Sequence, residues 1–320
     1  MPRIAVHIVT YNSAAVIDAC LGALHAQDSD FDICIVDNAS TDGTVAHLEA
    51  AGYAVITNTV NVGYAAAHNQ ALAQTSGEYV LTLNPDVLLQ PGYLSIMTQA
   101  LDSHPAAGSA AGCLLRIDRI DAPPHAIDSI GLFMRRNRRQ GLLLENTPLT
   151  ETPSQPRAVF GPDGAAAFYR RAMLDDIAVN GEIFDQDFFM HKEDVDLCWR
   201  AQLAGWSSLY VPEARAHHIR TFRPGRRERV NAALRRYAVR NRYLLMLKNE
   251  IPKLFLRDLP WIALYDAAIL GYVLLREPAS LTALTDAWKL RKRMLEKRRI
   301  IHARRKASPQ DMAVWLRGRP

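Results

Sequence analysis

The 320-residue chain has room for one large α/β domain with an appendage or for two domains, and its content of 49% hydrophobic and 22% charged residues excludes an intrinsically disordered protein. Its four cysteines form no CxxC pair, which argues against a structural zinc site or a disulfide framework and favours reduced core residues in a cytosolic protein. The net charge is +5, but residues 1–219 carry 13 Lys and Arg against 25 Asp and Glu, whereas residues 220–306 carry 23 against 7. This asymmetry predicts an acidic body with a basic tail that meets a polyanionic surface.

Short apolar runs alternate with helical patterns in the first hundred residues. The first run is too short for the core of a signal peptide, so export is not expected. Because strands and helices alternate, we expect a mostly parallel sheet with right-handed crossovers, and ligands of such sheets bind at the carboxyl ends of the strands. Strands are predicted at 3–9, 32–37, 53–57 and 79–83, and helices at 13–26 (capped by Ser13), 63–76 and 91–103.

The second hundred residues begin with a region that has no sustained period. Residues 118–157 mix prolines, arginines and polar residues, and we expect a long, partly mobile excursion there, since loops of this length are usually lids or binding elements. Order returns from residue 158, where Glu193 and Asp194 open a helix that Gly205 closes. The first domain is therefore predicted to cover residues 1–221.

Residues 222–320 are predicted to form a basic helical extension, with Pro252, Pro260 and Pro278 as breaks. Within it, residues 261–275 are apolar except for one acid, and the run is shorter than the ~20 residues that span a bilayer. Its basic flanks suit a helix lying in the interface of an anionic membrane. A buried helix or a homodimer contact fits the pattern equally well. A solvated charged face and a tail that binds nucleic-acid phosphates are further alternatives.

The stretch LTLNPDVLL, residues 81–89, is an apolar run interrupted by one acid, Asp86. Taken alone, Asp86 is most simply a turn residue after a strand. Six other motifs accompany the stretch, in an order that makes the set specific. They are VTYN (9–12), VDNASTDGT (36–44), NVGYAAAHN (61–69), GAAAFYRR (164–171), FFMHKEDVDLCWR (188–200) and HHIR (217–220). Together the seven motifs resemble the family 2 glycosyltransferases, and within them the rhamnosyltransferase-like branch, over residues 3–221.

The resemblance implies an α/β fold of the glycosyltransferase-A type, with a mostly parallel sheet flanked by helices and a helical C-terminal extension. It implies an inverting, non-processive hexosyltransferase that acts in cell-surface polysaccharide synthesis. Processive relatives carry a QxxRW signature, whereas QLAGW has Gly205 where Arg would be. The donor is expected to be dTDP-L-rhamnose or, alternatively, a UDP-hexose, and the acceptor a glycan or a lipid-linked sugar.

The same resemblance implies a cytoplasmic protein, peripheral on the inner face of the bacterial plasma membrane. The competing function is that of a nucleic-acid-binding protein with an Arg-rich tail. Nucleic acid is not the expected partner, because the body holds a complete donor-site pattern and the tail lacks a nucleic-acid-binding signature.

Glycosyl transfer must stabilise a departing diphosphate and deprotonate an acceptor hydroxyl. By resemblance, Asp86 binds Mg²⁺ or Mn²⁺ with His218 as the second protein ligand, and Asp194 is the general base. Without the resemblance, His218 is a surface or strand-end residue, and Asp194 is an acid that the helix dipole favours in a first turn. That dipole lowers the pKa of a carboxyl group, so a raised pKa for Asp194 cannot be inferred from the sequence.

The remaining site residues are assigned by resemblance to the donor and the sugars. Thr10 and Tyr11 are expected to line the base pocket, and Asp37 to bond the pyrimidine ring. Asn12 and Asn38 either contact the nucleotide or shape the loops as turn formers. The other nucleotide positions are Asn61, Gly63, His68 and Asn84, and the sugar positions are Gly164, Glu193 and Trp199.

Four of these positions carry further expectations. Gly63 would let the backbone approach a ligand closely. His68 stands where many relatives carry Arg, and Trp199 is either an acceptor-wall or a core aromatic. Asn84 replaces the first acid of a DxD-type motif, which suits a deoxyribose donor because that sugar has no 2′-hydroxyl to bind.

Overall fold

A mixed β-sheet of ten strands forms the centre of the protein in the computed structural model, which describes residues 2–220 and 231–317. Two further strands, β8 and β9, form a separate hairpin. In chain order the strands are β1 (Ile4–Thr10), β2 (Phe31–Asp37), β3 (Val55–Thr57), β4 (Tyr79–Leu83), β5 (Val87–Leu89), β6 (Ala107–Ile117), β7 (Ala126–Ser129), β8 (Leu132–Met134), β9 (Gln140–Leu142), β10 (Arg157–Ala158), β11 (Ala166–Arg170) and β12 (Ser207–Ile219).

The sheet has a parallel half and a mixed half. Its strand order is β10-β12-β6-β11-β4-β1-β2-β3, with β5 beside β12 and β7 beside β6. The four strands predicted from the first hundred residues, β1 to β4, are confirmed and pair in parallel. Strand β11 runs antiparallel to both of its neighbours and joins this half to the parallel pair of β6 and β12.

Helices cover both faces of the sheet and form the C-terminal extension. The helices predicted over 13–26, 63–76 and 91–103 are confirmed as α1, α3 and α4. Ser13 does not cap α1 with its side chain; its backbone carbonyl accepts the N–H groups of Val16 and Ile17 instead. The helices are α1 (Ile17–His25), α2 (Thr44–Ala50), α3 (Tyr64–Gln74), α4 (Tyr93–Ser103), α5 (Arg171–Asp176), α6 (Glu193–Leu203), α7 (Ala232–Asn249), α8 (Pro252–Arg276), α9 (Thr282–Ala303) and α10 (Pro309–Trp315).

The alternation of side chains along the strands separates two hydrophobic cores. Leu81 of β4 packs in the core formed with α1 and α4, which contribute Leu24 and Met97. Its neighbour Val80 points to the opposite face, into the core that α3, α5 and α6 cover, for example with Leu197. Residues that follow β1, β2 and β4 are thereby held at a single edge of a rigid sheet.

The C-terminal extension shares a third core with the first domain. Leu244 of α7, Met294 of α9 and Met312 of α10 lie in one buried cluster with Phe160 and Trp199. The helices of the extension are therefore packed on the body of the protein through apolar side chains.

Two of the three predicted proline breaks are confirmed and one is wrong. Pro252 begins α8, and Pro278 begins a short 3-10 turn, Pro278–Leu281. Pro260 lies inside α8 without ending it. A proline removes the hydrogen bond to the carbonyl four residues earlier, which here belongs to the exposed Leu256, where water can satisfy that carbonyl.

The excursion at residues 118–157 contains β7, β8, β9 and a 3-10 turn, Leu149–Glu151. The β8–β9 hairpin is fastened to the extension by Arg138, whose guanidinium is fully buried. It lies 2.5 Å from Glu250 and 2.8 Å from Asp258. Since breaking a buried ion pair leaves an uncompensated charge, this contact ties the hairpin to α8.

Candidate active site

The carboxyl ends of β1 and β2 meet as expected, and Asp37 is the centre of their hydrogen bonds. Its Oδ1 accepts from Oγ of Thr10 at 2.7 Å, and its two oxygens accept from the hydroxyl and the N–H of Ser40. Asp37 is only 1% exposed, whereas Tyr11 is 55% exposed at the rim. The contact between Asp37 and a pyrimidine ring stays a prediction.

The two asparagines at these strand ends shape the loops. Asn12 has a φ of 53°, in the left-handed region, and its Oδ1 accepts the N–H of Thr41 at 2.8 Å. Asn38 is 3% exposed and donates from Nδ2 to the carbonyl of Gly63 at 3.2 Å. Of the two roles left open by the sequence, the structure shows the loop-forming one.

Gly63 serves a close approach within the protein itself. Its φ is +90°, and a Cβ at this position would lie 2.5 Å from the carbonyl oxygen of Phe189. The N–H of Gly63 donates to Oδ1 of Asn61 at 2.9 Å, so Asn61 supports this turn. The glycine is required where this turn contacts the loop that precedes α6.

A cavity of about 200 Å³ opens beside these strand ends. It is lined by Tyr64, Asn84, Asp163, Gly164 and residues 190–194. The hydroxyl of Tyr64 donates to Oδ1 of Asn84 at 3.3 Å and to the carbonyl of Gly164 at 2.9 Å. Three predicted site regions, from β4, from the segment before β11 and from α6, therefore surround one space.

Asp194, in the first turn of α6, borders this cavity. Its Oδ2 accepts from the N–H of Gly164 at 3.3 Å and its Oδ1 from the N–H of Val195 at 2.7 Å. Burial and the negative charge of Asp163 raise the pKa of Asp194 to about 6, although both N–H groups act in the opposite direction. The helix dipole is therefore outweighed by burial, a balance that the sequence could not show.

Glu193 is buried beside Asp194 and is 7% exposed. Burial and the neighbouring charge of Asp194 hold the pKa of Glu193 well above its usual value. Its Oε2 has no hydrogen-bond partner among the described residues. A carboxyl oxygen left unpaired at the cavity wall is available to bond a ligand hydroxyl.

The structure also brings together the two predicted metal ligands, which are 132 positions apart in the sequence. Strand β5 runs antiparallel to β12 and places Val87 opposite His218. The Oδ1 of Asp86 consequently lies 3.5 Å from Nε2 of His218. One carboxylate and one imidazole thus face each other at the end of the apolar run LTLNPDVLL.

Asp128, which the sequence did not single out, orients His218. Its Oδ2 lies 2.8 Å from Nδ1 of the imidazole, and its carboxylate is fully buried between His218, Arg116 and Arg220. Burial alone would lower the pKa of His218, but hydrogen bonds to Asp128 and Asp86 raise it to about 9. No motif signalled Asp128, because its position depends on the pairing of β7 with β6 inside the excursion.

Arg220 connects the two halves of the site. Its guanidinium lies 3.2 Å from Asp128, which holds His218, and 3.5 Å from Asp163, which lines the cavity beside Asp194. The facing pair Asp86 and His218 is therefore linked to the cavity beside Asp194 through the ion pairs of Asp128, Arg220 and Asp163. This arrangement has a candidate cation-binding side and a candidate proton-accepting side.

The donor set suits a catalytic cation better than a structural one. Within residues 2–220 and 231–317, no group of three or more His, Cys, Asp and Glu side chains is arranged to hold a metal ion. Asp86 and His218 offer one oxygen and one nitrogen, which leaves most coordination positions open to water and to a phosphorylated ligand. The carboxylate of Asp128 behind Nδ1 fixes the orientation of the His218 ring, which is the usual support of an imidazole that ligates a metal once Nε2 has lost its proton.

Two predicted site residues lie away from the cavity: the nucleotide contact given to His68 is corrected, and of the two roles left open for Trp199 the structure shows the core one. His68 is fully buried on the inner side of α3, 4.2 Å from the ring of Tyr64 between centroids, and burial keeps its pKa well below the usual value. A neutral, enclosed imidazole cannot contact a phosphate. Trp199 is 1% exposed and packs in the core shared with the extension. It follows Asp194 by five positions on α6, so the two side chains lie on different faces of the helix.

Residues 5–178 match Glycosyl transferase family 2. The chain belongs to this family. It is therefore an enzyme of the hexosyltransferase class.

The chain is 30% identical over 239 residues to the N-acetylglucosaminyl-diphospho-decaprenol L-rhamnosyltransferase of Mycobacterium tuberculosis strain H37Rv, a match that covers 68% of this chain and 76% of the relative. It is 27% identical to the rhamnosyltransferase WbbL of Escherichia coli K12, over 66% of this chain and 81% of the relative.

Solved structures of other proteins share the fold of this family 2 member. The mannosyltransferase PcManGT from Pyrobaculum calidifontis, in complex with GDP-Man and Mn²⁺, superposes with a TM-score of 0.54 at 18% identity and covers 98% of this chain and 78% of its own. TarS 1-349 from S. aureus, in complex with UDP, superposes with a TM-score of 0.55 at 18% identity, over 94% and 90%. The predicted glycosyltransferase-A fold is confirmed.

Proposed function

We propose that this family 2 enzyme is an inverting, metal-dependent rhamnosyltransferase that moves L-rhamnose from dTDP-L-rhamnose to a glycan or lipid-linked acceptor in cell-surface polysaccharide synthesis. The observation that carries the proposal is the facing pair Asp86 and His218, which Arg220 links to the cavity bordered by the buried carboxyl of Asp194. Two similar proteins named as rhamnosyltransferases support the choice of sugar. One of them is named for an N-acetylglucosaminyl-diphospho-decaprenol acceptor, which supports a lipid-linked acceptor here.

The proposed reaction is a single displacement at the anomeric carbon. The acceptor oxygen forms a bond to that carbon while the bond to the diphosphate oxygen breaks, and Asp194 takes the hydroxyl proton. A divalent cation, Mg²⁺ or Mn²⁺, held by Asp86 and His218 would supply positive charge to the departing diphosphate. Glu193, whose Oε2 is unpaired, is placed to hydrogen-bond a sugar hydroxyl, and the N–H of Gly164 keeps the Asp194 carboxylate in position.

Donor choice is proposed to depend on the strand ends of β1, β2 and β4. Thr10, Tyr11 and Asp37 form the base pocket, and Asn84 faces the ribose without adding a second negative charge. A deoxyribose needs no partner for a 2′-hydroxyl, so an amide at position 84 suits a dTDP donor.

Thermal shift with Mn²⁺ present tests this donor assignment. A ligand that binds only the native state stabilises it, by about 2.7 kcal/mol at a hundredfold excess over Kd. We expect dTDP-L-rhamnose to raise the melting temperature more than UDP-glucose or UDP-N-acetylglucosamine does. A clear preference for the UDP donors would contradict the roles given to Asn84 and to rhamnose.

The protein is further proposed to work on the cytoplasmic face of the membrane, docked through helix α8. Helix α8 has 25 residues. Among the described residues it is the one helix that is long and apolar enough to cross a membrane, by length and composition alone. Helix α8 is therefore longer than the apolar run of residues 261–275 that the sequence shows. Ion pairs of Asp258 with Arg138 and of Asp266 with Arg242 hold it along the protein, which favours a helix lying in the interface.

The outward side of α8 has the composition of an interfacial helix. Its exposed leucines include Leu256, Leu264 and Leu275, with 68%, 74% and 83% of their surface in solvent. The exposed Lys253 and Arg276 stand near its two ends and complement the negative charge of an anionic leaflet. We infer that this surface, the outer face of α8, contacts acidic phospholipid.

Co-sedimentation of the full chain with phosphatidylcholine vesicles, with and without phosphatidylglycerol, tests this docking. We expect binding only with the anionic lipid, weakened at least about tenfold by the double change Leu264→Glu and Leu275→Glu, since each leucine loses apolar burial. Val60→Glu, at a residue that is 64% exposed on the other domain, is the matched control. Tight DNA binding without lipid binding, or a homodimer that the double change dissociates, would contradict the proposal.

A further inference from the structure

The loop before α6, residues 188–192, has an unusual backbone. Three residues other than glycine have positive φ angles: Phe189 at 64°, His191 at 70° and Lys192 at 77°. Such conformations are unfavourable for L-residues and persist only where the surrounding structure imposes them. The loop lines the cavity and leads directly into Glu193 and Asp194. Whatever imposes this backbone therefore also sets the position of both acids.

Asn241, from α7 of the C-terminal extension, is bonded to this loop. Its side chain is fully buried. Its Nδ2 donates to the carbonyls of Phe188 at 3.0 Å, Met190 at 3.0 Å and His191 at 2.7 Å. The two N–H groups of one amide thus serve three carbonyls of the loop, and at least one N–H is shared between two of them.

Arg240 fixes the orientation of that amide. Its Nε donates to Oδ1 of Asn241 at 2.9 Å, so the Nδ2 end faces the loop. Its Nη2 donates to the carbonyls of Asp187 at 2.7 Å and Phe188 at 3.0 Å. Arg240 and Asn241, which are adjacent in the sequence, therefore bind the loop through buried hydrogen bonds.

The opposite side of the loop rests on α3. The N–H of Ala65 donates to the carbonyl of Phe189 at 3.2 Å, and Gly63 leaves room for that carbonyl. The ring of Phe189 also stacks on Tyr237 of α7, with 5.1 Å between centroids. The loop therefore lies between α3, which follows the nucleotide-side residue Gly63, and α7 of the C-terminal extension.

We propose that Asn241 is a positioning residue for the transfer reaction, which fixes the strained loop 188–192 and thereby presents Glu193 and Asp194 to the acceptor. The C-terminal extension then completes the active site in addition to any contact with a membrane. The proposal rests on the function proposed above, in which Asp194 is the general base. Asn241 makes no hydrogen bond to the nucleotide-side residues Thr10 and Asp37, so its loss should affect turnover more than donor binding.

The test compares Asn241→Ala and Asn241→Asp with Leu245→Ala in the full chain. Leu245 lies one turn further along α7 and is 1% exposed in the shared core, so its truncation lowers stability without removing a bond to the loop. At a temperature where all four proteins are folded, we expect kcat to fall about 10–100-fold in both Asn241 variants, with little change in donor KM. We also expect the acid limb of the kcat profile to move to lower pH in Asn241→Ala, because a loosened loop admits water to Asp194. Leu245→Ala should keep the parent kcat and the parent pH profile.

Hydrogen exchange gives a readout that does not need a substrate. The amides of residues 189–193 should exchange faster in the Asn241 variants than in the parent or in Leu245→Ala. If the parent is active and the Asn241 variants match Leu245→Ala in kcat and in exchange, Asn241 has no positioning role and the proposed function stands. If the parent transfers no sugar, the proposed function fails. If hydrogen exchange in residues 189–193 is also the same in the Asn241 variants and the parent, Asn241 does not fix the loop either.

Discussion

Replacing Asp194 with asparagine is expected to lower kcat by about 10²–10⁴-fold, the usual contribution of a general base. Asparagine has nearly the same shape and keeps one oxygen, which can accept the N–H of Val195, while the weaker bond from the N–H of Gly164 at 3.3 Å is lost, so the fold and donor binding should persist. The amide cannot take the acceptor proton. Turnover at saturating donor and acceptor, with donor affinity measured in parallel, is the required measurement.

Glu193→Gln provides the neighbouring control. Burial raises the pKa of Glu193, and glutamine has nearly the same shape and can still hydrogen-bond a sugar hydroxyl, so this change should cost far less than Asp194→Asn. Equal losses in the two variants would mean that the first turn of α6, rather than the charge on Asp194, supports the reaction.

The pH profile of the parent follows from the same residue. A base acts in its deprotonated form, and the pKa of Asp194 is raised from 3.8 to about 6. Activity should therefore be complete above that value and fall as the pH decreases through about 6, well before an ordinary aspartate would be protonated. In Asp194→Asn the residual activity should lack this limb.

Replacing Asp86 with alanine is expected to lower kcat/KM by about 10³-fold or more, because the charge that stabilises the departing diphosphate loses its carboxylate ligand. The stabilisation of the protein by Mn²⁺ together with dTDP should disappear in the same variant. Asp30→Ala, at an exposed acid before the amino end of β2 and so at the opposite edge of the sheet, is the control for the loss of a negative charge.

Asp128→Asn should give an intermediate result. His218 keeps its place on β12 but loses the carboxylate that fixes its ring, and outer partners of this kind contribute about 10–100-fold to metal affinity. Mn²⁺ affinity, measured by thermal shift in the presence of dTDP, should thus decrease from the parent to Asp128→Asn to Asp86→Ala. If both variants bind Mn²⁺ as the parent does, the cation site lies elsewhere.

The parts of the structure that follow local patterns were predictable from the sequence. Alternating apolar runs located β1 to β4 and α1, α3 and α4. The resemblance of the seven motifs to the family assigned Asp86, His218 and Asp194 to one site, and the predicted strand ends indicated the edge of the sheet where ligands bind.

The supporting residues were not predictable, because each depends on contacts between distant segments. Asp128 reaches His218 only through the pairing of β7 with β6, and Asn241 reaches the loop only because α7 packs on the body. The same reason explains why the sequence misplaced His68, which the inner face of α3 encloses, and left open the role of Trp199, which the extension covers. The raised pKa of Asp194 likewise depends on burial by residues far away in the chain.

The central claim is tested most directly by sugar transfer with the purified full chain. The assay combines dTDP-L-rhamnose, Mn²⁺ and an N-acetylglucosaminyl-diphospho-polyprenol acceptor, and follows both the release of dTDP and the rhamnosylated product. We expect acceptor-dependent product of inverted anomeric configuration from the parent, and almost none with a chelator present or with Asp194→Asn. Transfer that persists undiminished in Asp194→Asn, or no transfer of rhamnose by a parent that transfers another sugar, would contradict the account.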